Sequence, residues 1–438
     1  MVTDSQYQAI ATLQGPRDAV VSLAFSVKAK FLSAAGYSGV YVWDLSTFTS
    51  APLPHMLFAP QNPKYVIMAS VWVYFQKNKR HILLLGSMRG DIILWDWNNE
   101  TKSFQLLYRV PPMENKEDEI LSMDVYEHDI ASGRIGRVVA STANRCISVW
   151  TLTSSGEFSK IFSTVLDEGV NPKTVCMCKI TRDIFVFPFY GGEIHCLDYK
   201  TGAVKHRKSH APGIMGSVAM NSTTNKFVAY TGKSFQLYRL GSLELVKTFK
   251  TELPLVLFPK QVAFGELENI VVGGSDRGCA LVYDVNSEEV LQKLSYPSGG
   301  LVQPVSASTI SLPERHLIVV AGSTAQQPAD VILFEKCIPA EYDSTTDIRN
   351  GRAPTQDAVL IGFYLPKRLW KWIRILGAVV VCVTFVGYYI LPIVYQVCNS
   401  LDHFESLINF ICRFLLISTM SIRNYTQMLT GKAVRRIN

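Results

Sequence analysis

Charge is scarce in this 438-residue chain: Asp, Glu, Lys and Arg make up 18% of it, against 48% hydrophobic residues. Soluble globular domains usually carry about 25% charged residues, so part of the chain is expected to lie outside water. Paired cysteines are lacking too. The nine cysteines are scattered and none stands in a Cys-x-x-Cys pair, which argues against a zinc site or a thioredoxin-like motif. Cys146, Cys196 and Cys279 fall in apolar strand patterns and read as small buried hydrophobes, which fits a reducing compartment. The first residues, Met1-Val2-Thr3-Asp4-Ser5-Gln6, have neither a basic run nor an apolar stretch, so no signal peptide is expected. The formal charge of +7 is modest, and the basic clusters 77–80 and 205–208 read as solvated loop charge; no nucleic-acid partner is expected.

Catalytic patterns are also thin. The eight histidines show no metal-ligand spacing. His195, inside an alternating strand, reads as a packed or surface residue. Thr231-Gly232-Lys233-Ser234 looks like the end of a phosphate-binding loop, but Phe227 stands where that loop needs Gly. It also falls between two strands, with no helix N-terminus to face a phosphate, and reads as a hairpin turn. Gly273-Gly274-Ser275-Asp276-Arg277-Gly278 has Arg277 where a nucleophile elbow needs its second Gly. Asp124 with Glu127, and the mixed-charge run 114–119, read as ordinary or loop acids. The expectation is a protein that is not an enzyme, with no cofactor, no metal and no evident small-molecule substrate.

What the chain does have is a repeat. Ser33-Ala34-Ala35-Gly36-Tyr37-Ser38-Gly39 followed by Val40-Tyr41-Val42-Trp43-Asp44 reads as a strand end, a tight turn at Gly39, and an alternating strand closed by Trp-Asp. The strand end recurs at Trp95-Asp96 and at Trp150, and in weaker form at Leu197, Tyr238, Tyr283-Asp284 and Phe334, at intervals of 41 to 55 residues. Seven units at that spacing match propeller blades. Tyr7-Gln8-Ala9-Ile10-Ala11-Thr12-Leu13 alternates like a strand and is placed to close the ring as the outer strand of the last blade.

On these residues, together with Ser209-His210 and the Gly274-Ser275-Asp276 turn, residues 1–338 resemble the WD-repeat family of β-propellers. The resemblance implies an all-β, seven-bladed propeller in which Trp43, Asp44, Trp95, Asp96, Trp150, His210 and Asp284 are repeat-signature positions. Many family members tie each blade with a His–Asp–Ser/Thr–Trp network. Gly15-Pro16 stands where Gly-His belongs, and Thr151 follows Trp150, so most blades here are not expected to form it.

Residues 339–366 read as a polar linker. Lys367, Arg368, Lys371 and Arg374 then flank 375–397, which carries no charge. As a helix, 375–397 would reach about 34 Å, enough to cross a bilayer core once, within a transmembrane region spanning 367–398. Trp370 and Trp372 suit the interface, and the basic flank places the propeller on the cytosolic side. In 399–438, the apolar stretch 406–422 is interrupted by Asn409 and Arg413 and reads either as an amphipathic surface helix or as a second membrane arm. Asn424-Tyr425-Thr426 is a glycosylation sequon on the far side of a single crossing.

The resulting expectation is a membrane-anchored, non-catalytic scaffold on an endomembrane such as the endoplasmic reticulum, binding other proteins through propeller loops and the bilayer through 375–397. The layout also resembles the exchange-factor family that loads the coat GTPase Sar. That resemblance implies nucleotide release as an alternative function. The family's extended, potassium-binding loop of the first blade has no counterpart in the compact stretch from Leu23 to Asp44.

Overall fold

Apart from Tyr7–Leu13 and Asp129–Ile130, each strand pairs with a strand next to it in its own repeat, which is why the chain builds separate small sheets. The computed structural model describes residues 7–55, 62, 65–111 and 118–337. The linker, Lys367, Arg368, Trp370, Lys371, Trp372, Arg374, the segment 375–397 and the tail lie outside the described residues. Among the described residues no helix is long and apolar enough to cross a membrane.

Seven sheets form a seven-bladed β-propeller. Blade one runs Val20–Phe25, Phe31–Gly36, Gly39–Asp44 and Thr49–Ser50 from the axis outward. Blade five is Val218–Asn221, Lys226–Tyr230, Ser234–Arg239 and Leu245–Lys250, and blade six is Val262–Gly265, Ile270–Gly273, Cys279–Asp284 and Val290–Ser295. Blade seven takes its inner three strands, Val305–Ser311, Glu314–Ala321 and Val331–Lys336, from one end of the fold. Its outer strand, Tyr7–Leu13, comes from the other end, with Tyr7 opposite Lys336 and Leu13 opposite Val331. The expected closure is therefore present, and it leaves no open blade edge at the seam.

Alternation along the strands supplies the cores. Within Gly39–Asp44, Val40 and Val42 pack toward blade two, beside Phe31, Trp72 and Trp95. Trp43 points the other way, into a cluster with Leu317, Val319 and Val331 of blade seven. Each blade thus serves two cores, and seven apolar clusters fill the seven interfaces of the ring. Strands buried on both faces need apolar residues at consecutive positions, as in Ile82-Leu83-Leu84-Leu85, all fully buried.

Polar bonds pin the seam. Tyr7 Oη donates to Glu266 Oε1 at 2.7 Å, and Lys336 Nζ lies 2.6 Å from Glu266 Oε2. The Gln292 amide accepts from Tyr7 N and donates to Tyr7 O, each at 2.8 Å. Blade two carries one addition with no sequence signal: Asp129–Ile130, between the first two strands of blade three, pairs in parallel with Tyr74 and Phe75.

Candidate interaction face

Strand direction alternates within a blade, so the ring has two unlike faces. Loops that enter the innermost strands share one face, the entry face, with the turns between second and third strands. Turns between first and second strands lie on the other face, where Lys336 ends the last strand beside Glu266.

The signature residues take structural positions. Trp43, Trp95 and Trp150 are buried between blades, and Trp150 stacks on Phe158 with centroids 5.7 Å apart. Asp44 caps the turn that follows it, accepting from Ser46 N at 2.8 Å. Asp284 does the same for Asn286 N at 2.9 Å and Ser287 N at 2.6 Å. Asp198 repeats this with the amides of Lys200 and Thr201. The acid after the strand is therefore a turn cap. Asp96 differs, pairing with Arg80 Nε at 2.7 Å. His210 is exposed in the loop entering blade five, with φ 72°. One cross-blade bond was not foreseen: Trp72 Nε1 of blade two donates to Ser33 Oγ and to Ala24 O of blade one, both at 3.0 Å.

The innermost strands enclose a central channel of about 600 Å³. They carry several polar side chains, and these link neighbouring blades. Ser22 Oγ and Ser70 Oγ lie 2.9 Å apart, Ser122 Oγ accepts from Val175 N at 3.2 Å, and Asp124 Oδ2 accepts from Met177 N at 2.7 Å. Burial raises the Asp124 carboxyl above its ordinary range despite His128 and the Met177 amide. Burial, reinforced by Asp124, holds the Cys176 thiol well above its usual value. A thiol kept protonated is a poor nucleophile. Burial likewise pushes the Cys196 thiol up to about 12. Among the described residues no three His, Cys, Asp or Glu side chains are grouped to hold a metal ion. Thr231-Gly232-Lys233-Ser234 is a hairpin turn, with Thr231 N donating to Ser234 O at 2.9 Å and Gly232 at φ 86°.

The prominent feature of the entry face is the loop 251–260, which leads from blade five into blade six. Leu253, Leu255, Leu257 and Phe258 are 77, 59, 98 and 49% exposed, an apolar ridge of four large side chains within six residues. Such a ridge on a soluble surface marks a contact site. It is held from beneath by a buried ion pair: Lys260 Nζ lies 2.7 Å from Asp276 Oδ2, with side chains only 4 and 2% exposed. Lys260 Nζ also donates to Val256 O at 2.9 Å and Phe258 O at 2.8 Å. Asp276 Oδ2 accepts from Leu255 N at 2.9 Å and Val256 N at 3.1 Å, and Gln303 Nε2 donates to Asp276 Oδ1 at 3.0 Å. The pair's other hydrogen bonds go to the loop and to Gln303, just ahead of the first strand of blade seven. The space under the loop is only about 20 Å³, so the ridge rests on a packed base.

Beside the ridge, toward blades seven and one, lies a groove of about 270 Å³ lined chiefly by Val20, Tyr37, Val256, Phe258, Leu301 and Pro304. The chain matches no protein-family model and no curated protein sequence. The site is therefore read from its own chemistry. An exposed apolar ridge next to an apolar groove can bind a complementary surface. The sequence signal for the ridge is Leu253-Pro254-Leu255-Val256-Leu257-Phe258-Pro259. Two prolines in so short an apolar run remove ladder donors and argue against a buried strand, leaving apolar residues with no core to enter.

Proposed function

We propose that this chain is a non-catalytic interaction scaffold of the WD-repeat type, anchored by 375–397 to an endomembrane and presenting its propeller to the cytosol. The observation that carries the reading is the apolar ridge at 253–258, fixed by the Lys260–Asp276 pair and bordered by an apolar groove. Holding four large apolar side chains in water costs solubility, and burying each of them against a partner is worth about 1.5–3 kcal/mol. The rigid base removes much of the ordering cost of binding. The basic flank at 367–374 and the uncharged run after it support the anchor and its orientation.

Proximity labelling from the N-terminus in intact cells tests the scaffold reading. Leu255→Ser with Leu257→Ser should erase a defined subset of labelled neighbours while leaving the protein at the same membrane. An unchanged set of neighbours would refute a docking role for the ridge. Alkaline carbonate should leave the chain with the membrane pellet, and release into the supernatant would overturn the anchor. Modification at Asn424 would support the single crossing. The exchange-factor alternative rests on layout alone, and stimulated nucleotide release from a Sar-type GTPase would be needed to prefer it.

A further inference from the structure

The surroundings of the ridge are basic. Lys233 and Lys250 are exposed on either side of its base, joined to it through Thr251, whose Oγ1 donates to Lys233 O at 2.9 Å. Arg277 and Lys293 approach from blade six and share a single acid, Glu252, at 3.4 and 3.3 Å. Asp276, also close by, is buried and matched by Lys260. Lys250 also lies within electrostatic reach of Glu288, which pairs with Lys247 at 3.1 Å, so five cations stand against the two carboxylates Glu252 and Glu288 and the rim is left with an excess of positive charge.

That excess selects among possible occupants. A second copy of the chain would bring the same cations against themselves, and like charges facing one another oppose association. A bilayer of acidic lipids would satisfy the charge, but it makes no use of the groove of about 270 Å³ beside Phe258, which has room for a large side chain. An amphipathic protein segment satisfies the charge, the ridge and the groove together.

We propose that the ridge and groove receive an acidic amphipathic segment of a partner protein. One large apolar side chain fills the groove between Phe258 and Tyr37, others lie along Leu253, Leu255 and Leu257, and flanking carboxylates meet Lys233, Lys250, Arg277 and Lys293. This rests on the scaffold reading above and adds the chemistry of what docks.

The test uses the full chain in phosphatidylcholine nanodiscs and two fluorescent synthetic helices of about 18 residues, sharing one Leu/Phe face. One carries Glu on its polar face and the other Lys. The Glu helix should bind at least about tenfold more tightly, with affinity falling as salt rises. Leu255→Ser with Leu257→Ser should abolish that binding. Charge reversal of Lys233, Lys250, Arg277 and Lys293 to Glu should transfer the preference to the Lys helix. All these side chains are exposed, and unchanged circular dichroism checks that the variants fold. Equal binding of the two helices, or binding of neither, would overturn the proposal. So would Leu257-dependent capture of phosphatidylserine vesicles in place of the helix. If neither helix binds while the ridge variant still loses its labelled neighbours in cells, the acidic chemistry fails and the scaffold reading survives. If the neighbours persist as well, both fail.

Discussion

Replacing Lys260 by Met should loosen the ridge without touching its apolar surface. The ammonium holds two carbonyls of the loop and the Asp276 carboxylate, within 2.7–2.9 Å of each. Removing one partner of a buried pair strands the other, at a usual cost of about 3–5 kcal/mol. Asp276 keeps Gln303 and the amides of Leu255 and Val256 as donors, so the lower end, about 3 kcal/mol, is expected. The pH dependence should change sign. In the parent, burial alone would raise the Asp276 carboxyl, but donation from Lys260, Gln303 and Val256 outweighs it and holds the group below its ordinary 3.8. The parent therefore has the full contribution at neutral pH and loses it as pH falls through the lowered value. In Lys260→Met the burial remains and the strongest donor is gone, so the carboxyl is raised. The penalty is then greatest at neutral pH and shrinks as acid protonates Asp276. Urea midpoints of parent and variant from pH 7 down to about 4, with limited proteolysis across 251–260, measure both effects. Parallel pH profiles and an equally resistant loop would refute the reasoning.

Further outcomes concern the ring itself. His81 is packed between Phe31 and Tyr74, and burial, helped by Lys30 and opposed by Asp44, lowers its pKa from 6.5 to about 4. The unfolded chain takes up that proton first, so stability should fall by about 3 kcal/mol between pH 6.5 and 4, and His81→Phe should flatten that slope in urea titrations. Tyr7→Phe removes a buried bond to a carboxylate and should cost about 1.5–3 kcal/mol. Deleting residues 1–13 should do more, exposing Val331–Lys336 as an edge and producing soluble aggregates on size-exclusion chromatography. Asp91 is fully buried against Arg109, with contacts of 2.6 and 2.9 Å, and Asp91→Ala should lower the urea midpoint by the equivalent of about 2 kcal/mol.

The blades could be read from the sequence because strand and core use the same period. Val40, Val42 and Trp43 alternate, and each side of the alternation meets a different neighbouring blade, so one local pattern encodes both a strand and its packing. The closing strand was legible because Tyr7–Leu13 reads as a strand with no partner nearby in sequence, although a bulge between Ala9 and Ala11 breaks its alternation and leaves Ile10 exposed. The inter-blade hydrogen bonds were not. Ser22 meets Ser70, and Ser122 meets the Val175 amide, only because the ring brings innermost strands side by side. A serine in a strand carries no mark of which blade lies opposite. The ridge was missed for a different reason. An apolar run of six residues looks like core until the prolines at 254 and 259 are counted and no strand is left to hold it.

The degenerate repeats and the ridge follow from one division of labour. Stability in this ring is spread over seven similar apolar interfaces, so no single signature contact is indispensable. Asp44, Asp198 and Asp284 cap the turns that follow them, while Asp96 forms an ion pair instead. Other loops entering the blades lend residues to those interfaces, Leu166, Met215 and Val302 among them, whereas 251–260 turns its large apolar side chains outward. The loop 251–260 does so at an identifiable cost, a fully desolvated Lys–Asp pair in place of an apolar base. An apolar base could support the loop but could not fix its carbonyls and amides in one arrangement. The ion pair bonds four backbone groups of the loop in addition to its own contact. Its worth is therefore the fixed geometry of the ridge, which is what a surface needs if it is to select one partner rather than attract any greasy one.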